Sequence, residues 1–230
     1  MRLIINEKKI KRNKKIAGAL TIASLAVLGT GLFFAFKSDM ILWSYVALIV
    51  GFVLTQISMY YSSRFSRSPR YDEVMHKALE TIRGDYNFYV YTTTVPNLLL
   101  GPNKFYALHP IVTPGTISYV NGKWREKGRG ILMRIIGQEN LGNPERELAI
   151  QIQGLQDKLN ENGLVYSEQP PIVPLLVLLT DKTIIGEMED APIQHVKINE
   201  LKRTIRRFDR EDPEGVIPEE KLEQIKSILG

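Results

Sequence analysis

Asp72 and His76 stand one helical turn apart in YDEVMHKAL, a spacing at which a carboxylate and an imidazole can share a metal ion or a proton. The same spacing is that of a solvated i, i+4 pair on a helix face, and this is the reading the surrounding sequence favours. His195 precedes a strand-like run without a chemical partner beside it, and Asp181 follows an apolar run where Asp-Lys reads as a turn. Tyr86, Tyr89, Tyr91 and Trp124 offer flat faces for base stacking, but aromatics alternating along a strand read as core and cross-strand pairs. No Gly-rich phosphate loop, Ser-His-Asp order or zinc-ligand spacing occurs. The absence of Cys removes disulfides, thiolate zinc sites and cysteine nucleophiles. One stretch stands out for what it lacks: VPNLLLGPNKFYALHP, residues 95–110, has the form of a central β-hairpin yet holds no Asp or Glu, and its one Lys lies at the turn.

The elements that must position these residues fall into two parts. Ile16 to Phe36 and Met40 to Tyr61 contain no charged residue. Each is about 21 residues long, enough at about 1.5 Å per helical residue to cross a hydrocarbon core of about 30 Å. Only Lys37, Ser38 and Asp39 separate them, so the pair reads as a transmembrane helical hairpin over 16–61, with helices at 16–36 and 40–61. The first run is too long for the apolar part of a cleaved signal peptide, and a second span follows at once. Residues 1–15 form a basic tail with seven Lys or Arg and one Glu, and Arg64, Arg67 and Arg70 follow the second span in a connector at 62–70. Basic residues mark the cytoplasmic side of a membrane protein. A multi-pass protein of the cell membrane with both termini in the cytoplasm is therefore expected. The rest of the chain, 62–230, holds twenty-two basic and twenty-three acidic residues, so the high pI belongs to the tail and gives no argument for nucleic-acid binding.

From Tyr71 the pattern is that of an α/β domain. A helix is expected over Tyr71 to Arg83, a strand over Asn87 to Thr93, and a hairpin of Leu98–Leu100 and Phe105–Leu108 around Gly-Pro-Asn-Lys. Asn121-Gly122 suits a two-residue type I′ turn between strands. Asn143 caps a helix that Pro144 opens, with Leu148, Ile152, Leu155 and Leu159 as its buried stripe and Gly163 as its stop. Ile172 to Thr180, being nearly all apolar, suits a strand covered on both faces. A short strand near His195 to Ile198, a helix over Glu200 to Phe208, and a helix within a 209–230 tail complete the order.

That order, helix, three strands, helix, strand, strand, resembles the restriction-endonuclease-like core, a mixed sheet flanked by helices. In detail it resembles the NERD (nuclease-related) domain family over 71–208. Asp72 with Met75 and Leu79 is similar to the family's opening acidic helix, NLLLGPNKFYALHP to the segment that carries its Asp and its Glu-x-Lys, GTISYVNGKW to its following strand pair, GNPERELAIQIQGLQDKL to its Asn-Pro helix, and VPLLVLLTDK to its late strand. The resemblance implies a Mg²⁺-dependent nuclease site, since a hard cation needs carboxylate oxygens and phosphodiester hydrolysis needs its charge neutralised. The residues depart from it at those positions. The strand Asp reads as Asn97 or its neighbour Pro96, the Glu-x-Lys as Leu108-His109-Pro110, and a helix position where the family often has Gln holds Glu147. The expectation is a membrane-anchored module that keeps the fold without nuclease chemistry, carries no cofactor, and binds lipid through its helices and an unidentified protein through its domain. The alternative is a Mg²⁺-dependent DNA nuclease with carboxylates moved to Asp72, Asp85 or Glu147. Residues 124–142 are also too long for a plain loop. They read as an element folded on the domain or as an interfacial one, with Arg129, Ile131, Leu132, Arg134 and Ile136 as candidate membrane contacts.

Overall fold

Residues 2–5, Arg-Leu-Ile-Ile, form β1 (Arg2–Ile5), which lies at the edge of a six-stranded sheet. The computed structural model describes residues 1–128, 141–211 and 217–230. Sequence reading places 1–15 in a single basic tail; the structure instead divides it between this strand and the first turns of a helix. The strand is sewn in by its backbone: the amide of Arg2 donates to the Tyr86 carbonyl at 2.8 Å and that of Asn6 to the Val90 carbonyl at 3.0 Å.

Two long apolar helices follow, α1 (Glu7–Ala35) and α2 (Ile41–Phe65), joined by a short 3-10 turn at Ser38–Met40. Both are long and apolar enough to cross a membrane. Their packing inverts that of a water-soluble pair. Ala17, Ser24 and Gly31 of α1 and Ser44, Gly51 and Ser58 of α2 are buried at seven-residue intervals, while Ile22 and Leu42, each 71% exposed, point outward with Leu25, Leu32 and Trp43. Small residues let two backbones approach where lipid, as apolar as Leu, supplies no hydrophobic drive between helices. A Cβ at Gly51 would lie 2.6 Å from Leu28, and one at Gly31 2.9 Å from that of Ala47. The Thr21 and Ser58 hydroxyls share a hydrogen bond of 2.7 Å across the seam, and Thr21 also donates to the Ala17 carbonyl at 2.9 Å.

The α/β domain consists of the described residues of 1–6 and 71–230. After α3 (Tyr71–Leu79) come β2 (Asn87–Val90), β3 (Asn97–Leu100), β4 (Phe105–Ile111), β5 (Gly115–Val120), β6 (Lys123–Lys127), α4 (Pro144–Glu161), β7 (Ile172–Leu178), β8 (Thr183–Ile185), β9 (Gln194–Lys197), α5 (Leu201–Glu211) and α6 (Glu219–Leu229). The large sheet runs β1-β2-β3-β4-β7-β9, with β2, β3 and β4 an antiparallel meander and the pairs β1/β2, β4/β7 and β7/β9 parallel. A smaller sheet runs β6-β5-β8. Alternation along each strand feeds two cores. Tyr89, Leu98, Leu100, Ala107 and Leu176 meet Leu148, Leu155 and Leu159 of α4 and Ile225 and Leu229 of α6. Phe88, Val90, Leu99, Tyr106, Leu108, Leu175 and Val177 meet Met75 and Leu79 of α3 and Leu201 and Ile205 of α5.

Local rules account for most boundaries. Asn143 accepts from the Arg146 amide at 3.0 Å and Pro144 opens α4; Gly163, at φ +91, lets the chain turn so that the Leu164 amide reaches the Leu159 carbonyl at 3.0 Å. Asn121 and Gly122 both take positive φ in the β5–β6 turn. The helix expected over 71–83 ends at Leu79, and the strand expected over 87–93 ends at Val90 because Tyr91 adopts φ 58. Pro110 and Pro174 lie in strands of the large sheet, where a missing N–H would ordinarily break the ladder. In the observed register each directs its nitrogen to a side where the neighbouring strand has ended, β3 for Pro110 and β9 for Pro174. The tail read over 209–230 belongs to the domain, because α5 runs on to Glu211 and α6 buries Ile225 and Leu229.

Removing residues 2–5 deletes an edge strand that contributes Ile4 and Ile5 to the two cores. The expected cost exceeds about 2 kcal/mol, which lowers the melting midpoint of the domain in the detergent-solubilised full chain by at least about 4 °C. An unchanged midpoint would contradict the pairing.

Candidate functional site

Four of the five positions that the resemblance would align with a catalytic set, Asp72, Asn97, Leu108, Pro110 and Glu147, fall on one face of the large sheet. Asn97 shares the face of Leu99 by strand alternation, Leu108 is in the core beneath α3 and α5, Pro110 follows Leu108 by two, and Asp72 is on α3 itself. The β3–β4 register, which pairs Leu98 with Ala107, continues to bring Asn97 opposite Leu108. Glu147 is elsewhere: it is exposed on α4, which packs against the opposite face. The carboxylates of the alternative reading are equally dispersed, since Asp85 lies before β2 and accepts from Lys226 of α6 at 3.0 Å.

What these positions offer is mostly apolar. Leu108 is buried, Pro110 half-buried, and Asn97, 4% exposed, presents a neutral amide whose Oδ1 meets no hydrogen-bond donor among the described residues. Asp72, 3% exposed, is the one acid among these four positions. Among the described residues no group of three His, Cys, Asp or Glu is placed to hold a metal ion. A neutral amide oxygen and one carboxylate make a weak ligand set for Mg²⁺, which favours carboxylates in octahedral geometry.

A polar cluster lies around Asp209, which sequence reading passes over. Its carboxylate accepts from the Tyr86 hydroxyl and, at 2.6 Å, from that of Tyr106. Asn103 donates to the Asp209 carbonyl at 3.1 Å and Lys104 to the Phe208 carbonyl at 3.4 Å, so the buried turn of the β3–β4 hairpin caps the last turn of α5. The polar residues of GPNK thus tie the hairpin turn to the end of α5. Burial, then the bond to Asp209, pushes the Tyr86 phenol far above its ordinary value; burial, opposed by the charges of Lys226 and Arg2, carries Tyr89 up to about 12. The signal in the sequence is faint: Asp209 is the one acid among the basic residues of TIRRFDR.

The other candidates disperse. His76 is half-buried on α3, four residues after Asp72. His195 lies on β9 opposite Leu176, and partial burial lowers its pKa. Asp181 is exposed in the turn between β7 and β8. Trp124 packs edge-on to Tyr119 at 5.1 Å between ring centres, and its indole nitrogen has no acceptor among the described residues. Arg129, Ile131, Leu132, Arg134 and Ile136 lie outside the described residues. Compared with known proteins, the chain matches no family model, no curated relative and no solved structure.

Two outcomes follow from this geometry. A phenol whose pKa is raised in the folded state contributes stability below pH about 10 that is lost as the pH rises above it, because the unfolded chain ionises first. Tyr86→Phe is therefore expected to cost about 1–3 kcal/mol at neutral pH and to flatten the fall of stability between about pH 10 and 12, as read by denaturant titration. Asn97→Leu, which removes an unmatched buried amide, is expected to leave stability unchanged or raise it by up to about 1 kcal/mol. A loss greater than that would show that the amide has a partner the fold depends on.

Proposed function

We propose that this chain is a membrane-anchored cytoplasmic module: a transmembrane helical hairpin carries a restriction-endonuclease-like, NERD-like α/β domain that binds or scaffolds a protein partner without nuclease chemistry. The observation that carries the anchoring is the place of the hairpin in the chain. It lies between β1 and α3, two elements of one domain, so the segments entering and leaving it belong on the same side of a bilayer. The inverted packing of α1 and α2, small and polar within and large and apolar without, supports insertion in lipid. The helix-meander-helix-strand order, with β4 and β7 parallel, supports the nuclease-like fold. Asn97, Leu108 and Pro110 at the former catalytic positions support loss of its chemistry, because no anionic pair is left on adjacent strands to hold a cation against a developing phosphorane. A fold is not an activity, and the binding role rests on the site residues alone.

Two measurements test the proposal on the full chain, which retains β1. With single cysteines at Ser38 and Gly230, a membrane-impermeant maleimide applied to intact cells is expected to label Ser38→Cys alone; labelling of both would overturn the topology. With linear, nicked and single-stranded DNA in Mg²⁺ or Mn²⁺, no cleavage is expected. Metal-dependent cleavage abolished by Asp72→Ala or Asn97→Ala would establish the nuclease alternative.

A further inference from the structure

The helical hairpin has an asymmetry that its role as an anchor does not require. The first two turns of α1 are continuous with its apolar run, and their exposed positions are Glu7 and then a series of cations: Lys8, Lys11, Arg12, Lys14 and Lys15. Only the seam is spared, where Ile10, Asn13 and Ala17 are buried. At 100° per residue the five cations therefore cover an arc of about 160° on the side of α1 away from the seam. Their axial extent, from residue 8 to residue 15, is about 10 Å, comparable to one head-group layer.

The second helix adds to this arc at the same height. The Ser58 hydroxyl meets the Ala17 carbonyl at 3.3 Å, and a Cβ on Gly31 would lie 3.4 Å from the Ser44 carbonyl, so each step back along α1 is matched by one step forward along α2. That register brings Lys15 and Lys14 level with Tyr60 and Tyr61, and Lys11 level with Arg64. Arg64 stacks on the Tyr60 ring at 4.2 Å and donates to its hydroxyl at 2.8 Å. Tyr at the head-group level with Lys and Arg beyond it is the arrangement that anchors a helix at an interface. The opposite end of the hairpin has Lys37 and Asp39, which balance.

We infer that this arc is a binding surface for the phosphate head groups of anionic phospholipids, and that the hairpin gathers such lipids at its basic end. The inference rests on the membrane-anchor reading and goes beyond it, since basic residues that only orient a helix during insertion leave the composition of the surrounding lipid unchanged. Anionic head groups attract each nearby Lys or Arg, and that attraction weakens with salt.

The test reconstitutes the full chain into vesicles of phosphatidylcholine containing about a quarter phosphatidylglycerol, extracts it in mild detergent and measures the lipids that remain bound by mass spectrometry. Phosphatidylglycerol is expected at about threefold or more over its bulk share, and at the bulk share in K11Q/R12Q/K14Q/K15Q. Both leaflets contain the anionic lipid, so a variant inserted in reverse still reports. Bulk composition around the unaltered chain, enrichment that survives the four substitutions, or loss of the lipid to inorganic phosphate at matched ionic strength would each overturn the inference. A chain washed from the vesicles by alkaline carbonate would instead overturn the membrane reading.

Discussion

The parallel pairing of β1 with β2 is the constraint on which the rest of the structure depends. Parallel neighbours cannot be joined by a tight turn and need a crossover. Here the crossover is the whole of residues 6–86, which contains both apolar helices and α3. The domain therefore closes around the hairpin in sequence, holding its start through β1 and its end through α3. A hairpin appended to one terminus could be lost without touching the sheet; this one interrupts the domain, so folding of the sheet brings the two ends of the hairpin into the same body. Loop closure over so long a segment is costly but rises only slowly with length. A preformed antiparallel helix pair shortens the effective loop further by bringing its own ends together.

The hairpin turn of β3 and β4 shows how one stretch is committed to holding the fold. Leu98 and Leu100 feed one core and Leu99, Tyr106 and Leu108 the other, so charge is excluded from nearly every position where a nuclease-like strand pair would place its ligands. The turn itself reaches α5, with Asn103 and Lys104 on the terminal carbonyls and Tyr106 on Asp209. Asp209 is drawn inward by two phenols, which leaves Arg203, Arg207 and Arg210 of α5 exposed. The polar side chains of this turn cap α5, while the Asn97 amide oxygen stays unmatched among the described residues.

Periodic and capped elements were legible in the sequence. The two apolar runs, the Asn143-Pro144 start of α4 and the Asn121-Gly122 turn each follow from interactions within a few residues. β1 was not legible, because Arg-Leu-Ile-Ile is short, abuts a run of lysines and earns its strand state from Asn87–Val90, far along the chain. β8, with three residues, failed for the same reason. Strand parity was enough to group Asn97 with Leu108, but the exposure of Glu147 on the opposite face is a property of topology. Asp209 reads as a solvated acid in a basic helix until Tyr86 and Tyr106 are brought to it from two other strands' ends.

The central claim, that β1 is sewn into the domain while the hairpin lies in a bilayer, is tested most directly by a disulfide between paired positions. The native chain has no Cys, and Arg2 and Asn87 are partners in the β1–β2 register. In intact membranes containing full-length R2C/N87C, mild oxidation is expected to form an intramolecular cross-link between these two positions, with little in the R2C/K197C control, whose second site is on β9 at the opposite edge of the sheet. Failure to cross-link in chains that remain membrane-embedded, or equal cross-linking of both pairs, would contradict the account.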